Sequence, residues 1–187
     1  MSPHSRLSRR DLLVASGAAG AGAALAGCTT TITNPTLSKT KLRAAKSDVP
    51  ILDELLQVEY LAAYAYTAAV PLLSGHSVRV AHRFLHQELA HLTILDSLIK
   101  SARGEPSPQR PSYPIGHPGG THDLLAMLHK VESKAMAAYL GAVPKLSQGV
   151  VRGIASAILA NEGQHLAVLR GRLGLVAVPD ALASASE

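Results

Sequence analysis

The chain has 187 residues, 47% of them apolar but only 3% aromatic, with one Phe, five Tyr and no Trp. A core made of Ala, Leu, Val and Ile suits close-packed helices and excludes an aromatic-rich β-sandwich or barrel. The single cysteine excludes a disulfide framework and a cysteine-built zinc or iron–sulfur site, and the net charge of +5 sits entirely in residues 1–48, so the remainder offers no basic face to nucleic acid.

Ser8-Arg9-Arg10-Asp11-Leu12-Leu13 resembles the twin-arginine export motif, with Leu12 where that motif prefers Phe and Val14 where it often has Lys. A weakly hydrophobic Ala/Gly stretch follows to Gly27, too short to span a bilayer. It ends in Leu25-Ala26-Gly27-Cys28, which resembles a lipobox. The resemblance implies passage through the twin-arginine translocase, cleavage before Cys28 and a lipid on its sulfur. That lipid would anchor the protein to the outer face of the plasma membrane. Twin-arginine transport carries folded proteins, often where a cofactor is inserted before export. Residues 29–48 are rich in Thr, Ser and Lys without periodicity, as a spacer would be. The expected division is a signal peptide at 1–27, a flexible tether at 28–48, a helical domain at 49–176 and a tail at 177–187. No run of 18 strongly apolar residues occurs, so no transmembrane helix is expected.

From about Ile51 the pattern becomes helical. Leu52, Leu55, Glu59, Ala62, Tyr66, Ala69 and Leu73 recur at alternating steps of three and four, the seam of a bundle helix. Leu125, Leu128, Glu132, Ala135, Tyr139, Ala142 and Leu146 repeat it 73 positions later. Over residues 51–74 and 124–147 this offset gives 12 identities in 24, among them a Glu, a Tyr and a Val-Pro pair that Ala-rich composition does not explain. Each of these helices leads through a short Gly-containing turn into a second, expected over Val78–Ala102 and Val150–Leu173. Between the hairpins, residues 101–121 hold five prolines and four glycines and cannot be helical. Hairpin, long crossover, hairpin is the layout of an all-α antiparallel four-helix bundle with ferritin-like connectivity.

Four glutamates and two histidines fall on the apolar seams: Glu59, Glu88, His91, Glu132, Glu162 and His165. Glu88–His91 and Glu162–His165 are both Glu-x-x-His, which puts a carboxylate and an imidazole on one helix face, one turn apart. Folding each hairpin about its turn brings Glu59 level with His91 and Glu132 level with His165, so all six meet in one layer. No Lys or Arg shares that seam at that level. Four uncompensated buried carboxylates would cost several kcal/mol each, against a total stability of roughly 5–15 kcal/mol. Two divalent cations would cancel the four charges. A carboxylate–imidazole set suits iron, with manganese as the alternative, better than zinc.

This arrangement resembles the ferritin-like di-iron carboxylate superfamily, and its local sequence is similar to a bacterial branch of ferritin-like domain proteins, some described as desiccation-related. The carriers are Leu55–Leu61, Ala138–Pro144 and Ile158–His165, within a likeness covering about residues 50–175. The resemblance implies two metals, Glu59 with Glu162 and His165 at one, Glu132 with Glu88 and His91 at the other, and Glu88 and Glu162 as bridges. Tyr66 and Tyr139, two turns beyond Glu59 and Glu132, read either as core tyrosines or as groups just outside the ligand set. His129, one turn before Glu132, reads as a core-edge residue or an outer partner. His82 and His86 fall off the ligand face.

The leading expectation is a membrane-tethered di-iron protein that oxidises Fe(II) or reacts with O2 or peroxide. Metal storage or sequestration, or a non-catalytic envelope role in which the metals only stabilise the bundle, are the alternatives. A homodimer is one assembly compatible with this reading; storage would instead need a closed shell of many subunits.

Overall fold

The protein's structure, a computed structural model, describes residues 43–179. The export motif at Arg9 and Arg10, the lipobox Cys28, most of the tether and the end of the tail lie outside the described residues. Four helices make up the described part: α1 Val49–Ala69, α2 Gly75–Ser101, α3 Thr121–Ala142 and α4 Gly149–Arg172. There is no strand among the described residues, and no helix is long and apolar enough to cross a membrane. The expected all-α bundle is therefore present, with helix starts one to three residues earlier than the seams suggest.

The repeat explains how the hairpins turn. Val70-Pro71 and Val143-Pro144 each close their helix with a short 3-10 turn, Val70–Leu72 and Val143–Lys145. A proline ring clashes with the preceding helical turn and supplies no N–H, so α-helix stops there. Gly75 then reverses the chain at φ +58°, where a side chain would be strained. Residues 102–120 cross the bundle without helix. Their start lies so close to α1 and α2 that a Cβ on Gly104 would meet Val49 at 2.9 Å and Ile99 at 3.0 Å. Asp53 pins the crossover to α1 by accepting from the backbone N–H and hydroxyl of Ser107 at 2.8 and 2.6 Å.

α1 packs on α2 and α3, and α3 on α4, while α2 and α4 pack against each other more loosely. The core has two apolar storeys. One joins Leu52, Leu55 and Leu56 of α1 to Leu95 and Leu98 of α2, Tyr139 of α3, and Ala155 and Ile158 of α4. The other joins Ala62, Tyr66 and Ala69 to Phe84, Leu124, Leu128 and Leu169. The start of α1 thus shares a storey with the end of α3, so these two helices are antiparallel. Between the storeys, at one level on all four helices, lie the six ligand-type residues.

Residues 44–48, expected within the tether, pack on the bundle. Ala44 is buried and donates its N–H to Ser101 Oγ at 2.9 Å. Lys46–Asp48 form a 3-10 turn, and buried Asp48 accepts from the N–H and hydroxyl of Ser147 at 3.0 and 2.9 Å. Periodicity could not reveal this docking, because single hydrogen-bonded side chains hold the segment rather than a repeating apolar face.

Candidate metal centre

The seam periodicity that builds the bundle also aims the six side chains inward. Glu59, Glu88, Glu132, Glu162 and His165 are fully buried and His91 is 6% exposed. They form two overlapping sets, Glu59–Glu88–His91–Glu162 and Glu88–Glu132–Glu162–His165, with one ligand atom from each member within 4.8 Å of all the others. His91 Nδ1 lies 3.0 Å from Glu162, 3.4 Å from Glu59 and 3.6 Å from Glu88. His165 Nδ1 lies 3.0 Å from Glu88, 3.2 Å from Glu132 and 3.5 Å from Glu162.

Glu88 and Glu162 therefore belong to both sets. The terminal pairing differs from the expectation. Glu59 sits with His91 and Glu132 with His165, each pair from one hairpin. An antiparallel hairpin brings those two levels face to face across its own turn, and that proximity decides the partnership.

Eight donor atoms of these residues are buried without a hydrogen bond: Glu59 Oε2, both oxygens of Glu88 and of Glu162, Glu132 Oε2, and Nδ1 of His91 and His165. A native interior rarely leaves such groups unsatisfied. Here the six residues lie close together in two overlapping sets, yet these atoms are misaligned for hydrogen bonding. Donors so placed fit two metal ions, and an O-rich, N-containing set fits iron or manganese.

Outer contacts fix the orientation. Tyr66 donates its hydroxyl to Glu132 Oε1, and Tyr139 donates to Glu59 Oε1. One tyrosine reaches in from each apolar storey, and each crosses to the other hairpin's terminal glutamate. Both are buried core rings whose hydroxyls also hold a buried glutamate. His129 is half-buried and takes no part: burial and the charge of Arg170 hold its pKa below the usual value, and its side chain makes no hydrogen bond to the layer. His82 and His86 are exposed, as expected.

Gln87 and Phe84 were missed. Gln87 Oε1 accepts from His165 Nε2 at 2.9 Å, which leaves Nδ1 as the lone-pair nitrogen facing the glutamates when the ring is neutral. Phe84 stacks on the same ring with centroids 4.0 Å apart. A signal for Gln87 existed: aligning Glu88 with Glu162 sets Gln87 against Asn161, an amide in both helices.

Without metal, protons neutralise the layer. Burial pushes Glu59 up to about 8 against the pull of His91, and pushes Glu132 well above the carboxylate range against that of His165. Burial also acts upward on Glu88 and Glu162, but contacts with His165 and His91 prevail, holding Glu88 low and Glu162 at about 2. Burial depresses both imidazoles, yet the carboxylates around them lift His91 to about 12 and His165 to about 11. Burial, then the neighbouring glutamate, raises Tyr66 and Tyr139 well above 10, so both hydroxyls remain donors. Two imidazolium ions, two ionised bridges and two protonated terminal carboxyls sum to zero charge.

The profile of the ferritin-like domain family matches residues 47–175. Among solved structures, a conserved hypothetical protein from Mycobacterium tuberculosis superposes with a TM-score of 0.66 at 17% identity, covering 74% of this chain and 96% of that one. A ferritin-like, diiron-carboxylate protein from Bacillus anthracis superposes with a TM-score of 0.60 at 19% identity, covering 72% of this chain and 98% of that one. No curated protein matches the sequence.

Proposed function

The chain belongs to the ferritin-like domain family, and from that premise we propose that it is a di-metal protein of the cell envelope that oxidises Fe(II) or reduces O2 or peroxide. The single observation that carries the reading is the meeting of six buried Glu and His side chains in two overlapping sets, with eight of their donor atoms lacking a hydrogen bond. Glu59, Glu88, His91 and Glu162 would hold one iron, and Glu88, Glu132, Glu162 and His165 the other, with manganese the alternative metal. Two Fe(II) ions so held supply two electrons together, enough to reduce one H2O2 with two protons to two waters.

The protein's own part is binding and orientation. Glu88 and Glu162 reach both positions and keep them together. Gln87 sets the ring of His165, and the tyrosines hold one oxygen of each terminal carboxylate while leaving the other free. The apolar storeys exclude water from both sides of the layer, which strengthens every charge interaction inside it. Arg9, Arg10 and Cys28 support export and a lipid anchor at the membrane's outer face.

Two measurements test this. Protein loaded anaerobically with Fe(II) should bind two irons per chain and react with H2O2 or O2 faster than free Fe(II) in stopped flow, and faster than the His165→Ala variant. Two bound irons with no such acceleration would make the metals structural. For the anchor, Cys28→Ser should abolish lipid labelling; unchanged labelling rejects it.

A further inference from the structure

A second concavity lies outside the metal layer, where the crossover passes over the outer faces of α1 and α3. It encloses about 560 Å³, within the roughly 300–1,000 Å³ of small-molecule sites. Its charged lining is entirely cationic: Arg110 from the crossover, and Lys130 and Lys134 one turn apart on α3. All three are exposed, and none is in an ion pair among the described residues. Like charges one helical turn apart repel, so the cluster is more favourable with an anion among it. Gln57 supplies a further donor, its Nε2 buried in the groove wall without a hydrogen-bond partner. Apart from the Tyr113 hydroxyl, which accepts from the Arg110 backbone N–H, the remaining side chains are apolar, chiefly Leu61, Ile115, Met127 and Val131.

Three unpaired cations and an unsatisfied amide donor around an apolar floor match one ligand chemistry. We propose that this groove binds a small organic carboxylate with an apolar body, its head between Lys130, Lys134 and Arg110 and its body against Leu61 and Met127. Because Lys130 and Lys134 are exposed and unpaired, replacing them leaves the bundle's packing intact. Lys130 and Lys134 each stand two residues from Glu132, roughly 200° around the helix, so the cationic rim of the groove and the glutamate layer lie on opposite faces of one stretch of α3, and the occupant's head stays clear of Glu132.

The test uses the full chain carrying Cys28→Ser, titrated calorimetrically with decanoate, decanol and decyltrimethylammonium. One decanoate per chain should bind, at least tenfold more tightly than either comparator. Lys130→Glu with Lys134→Glu should weaken it at least tenfold, while Arg83→Glu, an exposed cation elsewhere on α2, should not. Binding should be the same with and without chelator. Equal affinity for decanol, an unaffected lysine double variant, or loss of binding on chelation would each overturn the proposal. So would binding to phosphatidylglycerol vesicles with no saturable binding of decanoate, which would make the groove a membrane contact.

Discussion

His165 and His91 occupy matching positions in the two hairpins, yet their surroundings differ. His165 is fully buried, bonded to Gln87 and stacked on Phe84. His91 retains 6% exposure and is held by Glu59, Glu88 and Glu162. The repeat therefore duplicates the six residues without duplicating what holds the two histidines. Ligand positions are set by seam periodicity, which both hairpins share. The supporting contacts depend on which side chain fills each neighbouring gap, and there the halves diverge. His165 is backed by an amide and a stacked ring, and His91 lies nearer the surface.

The largest effect should come from erasing the difference. Glu88 serves both sites, so Glu88→Ala should reduce bound metal from two per chain to less than one, measured by elemental analysis. Metal at a thousandfold over its dissociation constant stabilises by about 4 kcal/mol, or about 10 °C for a domain of this size. That melting shift should appear in the parent and vanish in the variant. An equal shift in both would mean that the ions bind elsewhere.

The second break in symmetry is between the metal-free and metal-bound states. An unfolded Glu59 ionises near 4.5, but the folded one only near 8. Between those values the unfolded chain releases a proton that the folded chain keeps, so stability falls as pH rises. His91 and His165 act in the same direction: their stabilisation is full below 6.5 and is lost as pH climbs through about 11 and 12. Glu162 acts oppositely, its contribution present above 4.5 and lost as pH falls through about 2. Chelated protein should accordingly melt lower at pH 8 than at pH 5, and the gain from metal should be larger at pH 8, because binding displaces the retained protons. Calorimetry showing chelated protein more stable at pH 8 would refute a layer neutralised by protons.

Third comes the contrast between the histidines themselves. In metal-free protein, His165→Ala leaves a cavity beside Phe84 and an unpaired Gln87, costing about 2–4 kcal/mol. His91→Ala also takes a cation from among carboxylates, but it leaves no unpaired Gln87 and no gap beside Phe84, so it should cost less than His165→Ala. Gln87→Leu should spare fold and stoichiometry but weaken one of the two metals by roughly 10–100-fold. Equal weakening at both sites would show that the halves communicate through the bridges.

These contrasts also mark what the sequence could show. Glu59, Glu88, His91, Glu132, Glu162 and His165 stood out because a charge on an apolar seam is costly, and six at one level on four helices require a common cause. The bundle was legible because Val-Pro, Gly and the proline-rich crossover punctuate it. The partnership of Glu59 with His91 was within reach of the same level arithmetic, but the family resemblance pointed across the hairpins instead. Gln87, Phe84 and the docking of Ala44 and Asp48 rest on single contacts between distant segments, for which no periodic pattern exists. The groove beneath the crossover depends on the path of a loop whose prolines exclude helix without dictating a course.

The smallest effect tests the one outer feature that the halves do share. Tyr66 and Tyr139 each donate to the terminal glutamate of the opposite hairpin, and both rings are fully buried. Tyr66→Phe and Tyr139→Phe remove only an oxygen, so packing should survive and the two costs should be similar. In metal-free protein the accepting carboxyls are protonated, and losing a hydrogen bond between neutral groups costs about 1 kcal/mol. With metal bound, the same carboxylates are ionised, and a hydrogen bond to a charged group is worth about 1.5–3 kcal/mol. Each substitution should therefore destabilise loaded protein more than chelated protein, by an increment of about 1 kcal/mol, read from denaturant midpoints in the two states. Unequal increments would show that the asymmetry around His165 and His91 extends to the tyrosines. No increment at either would mean that the hydroxyls serve packing alone.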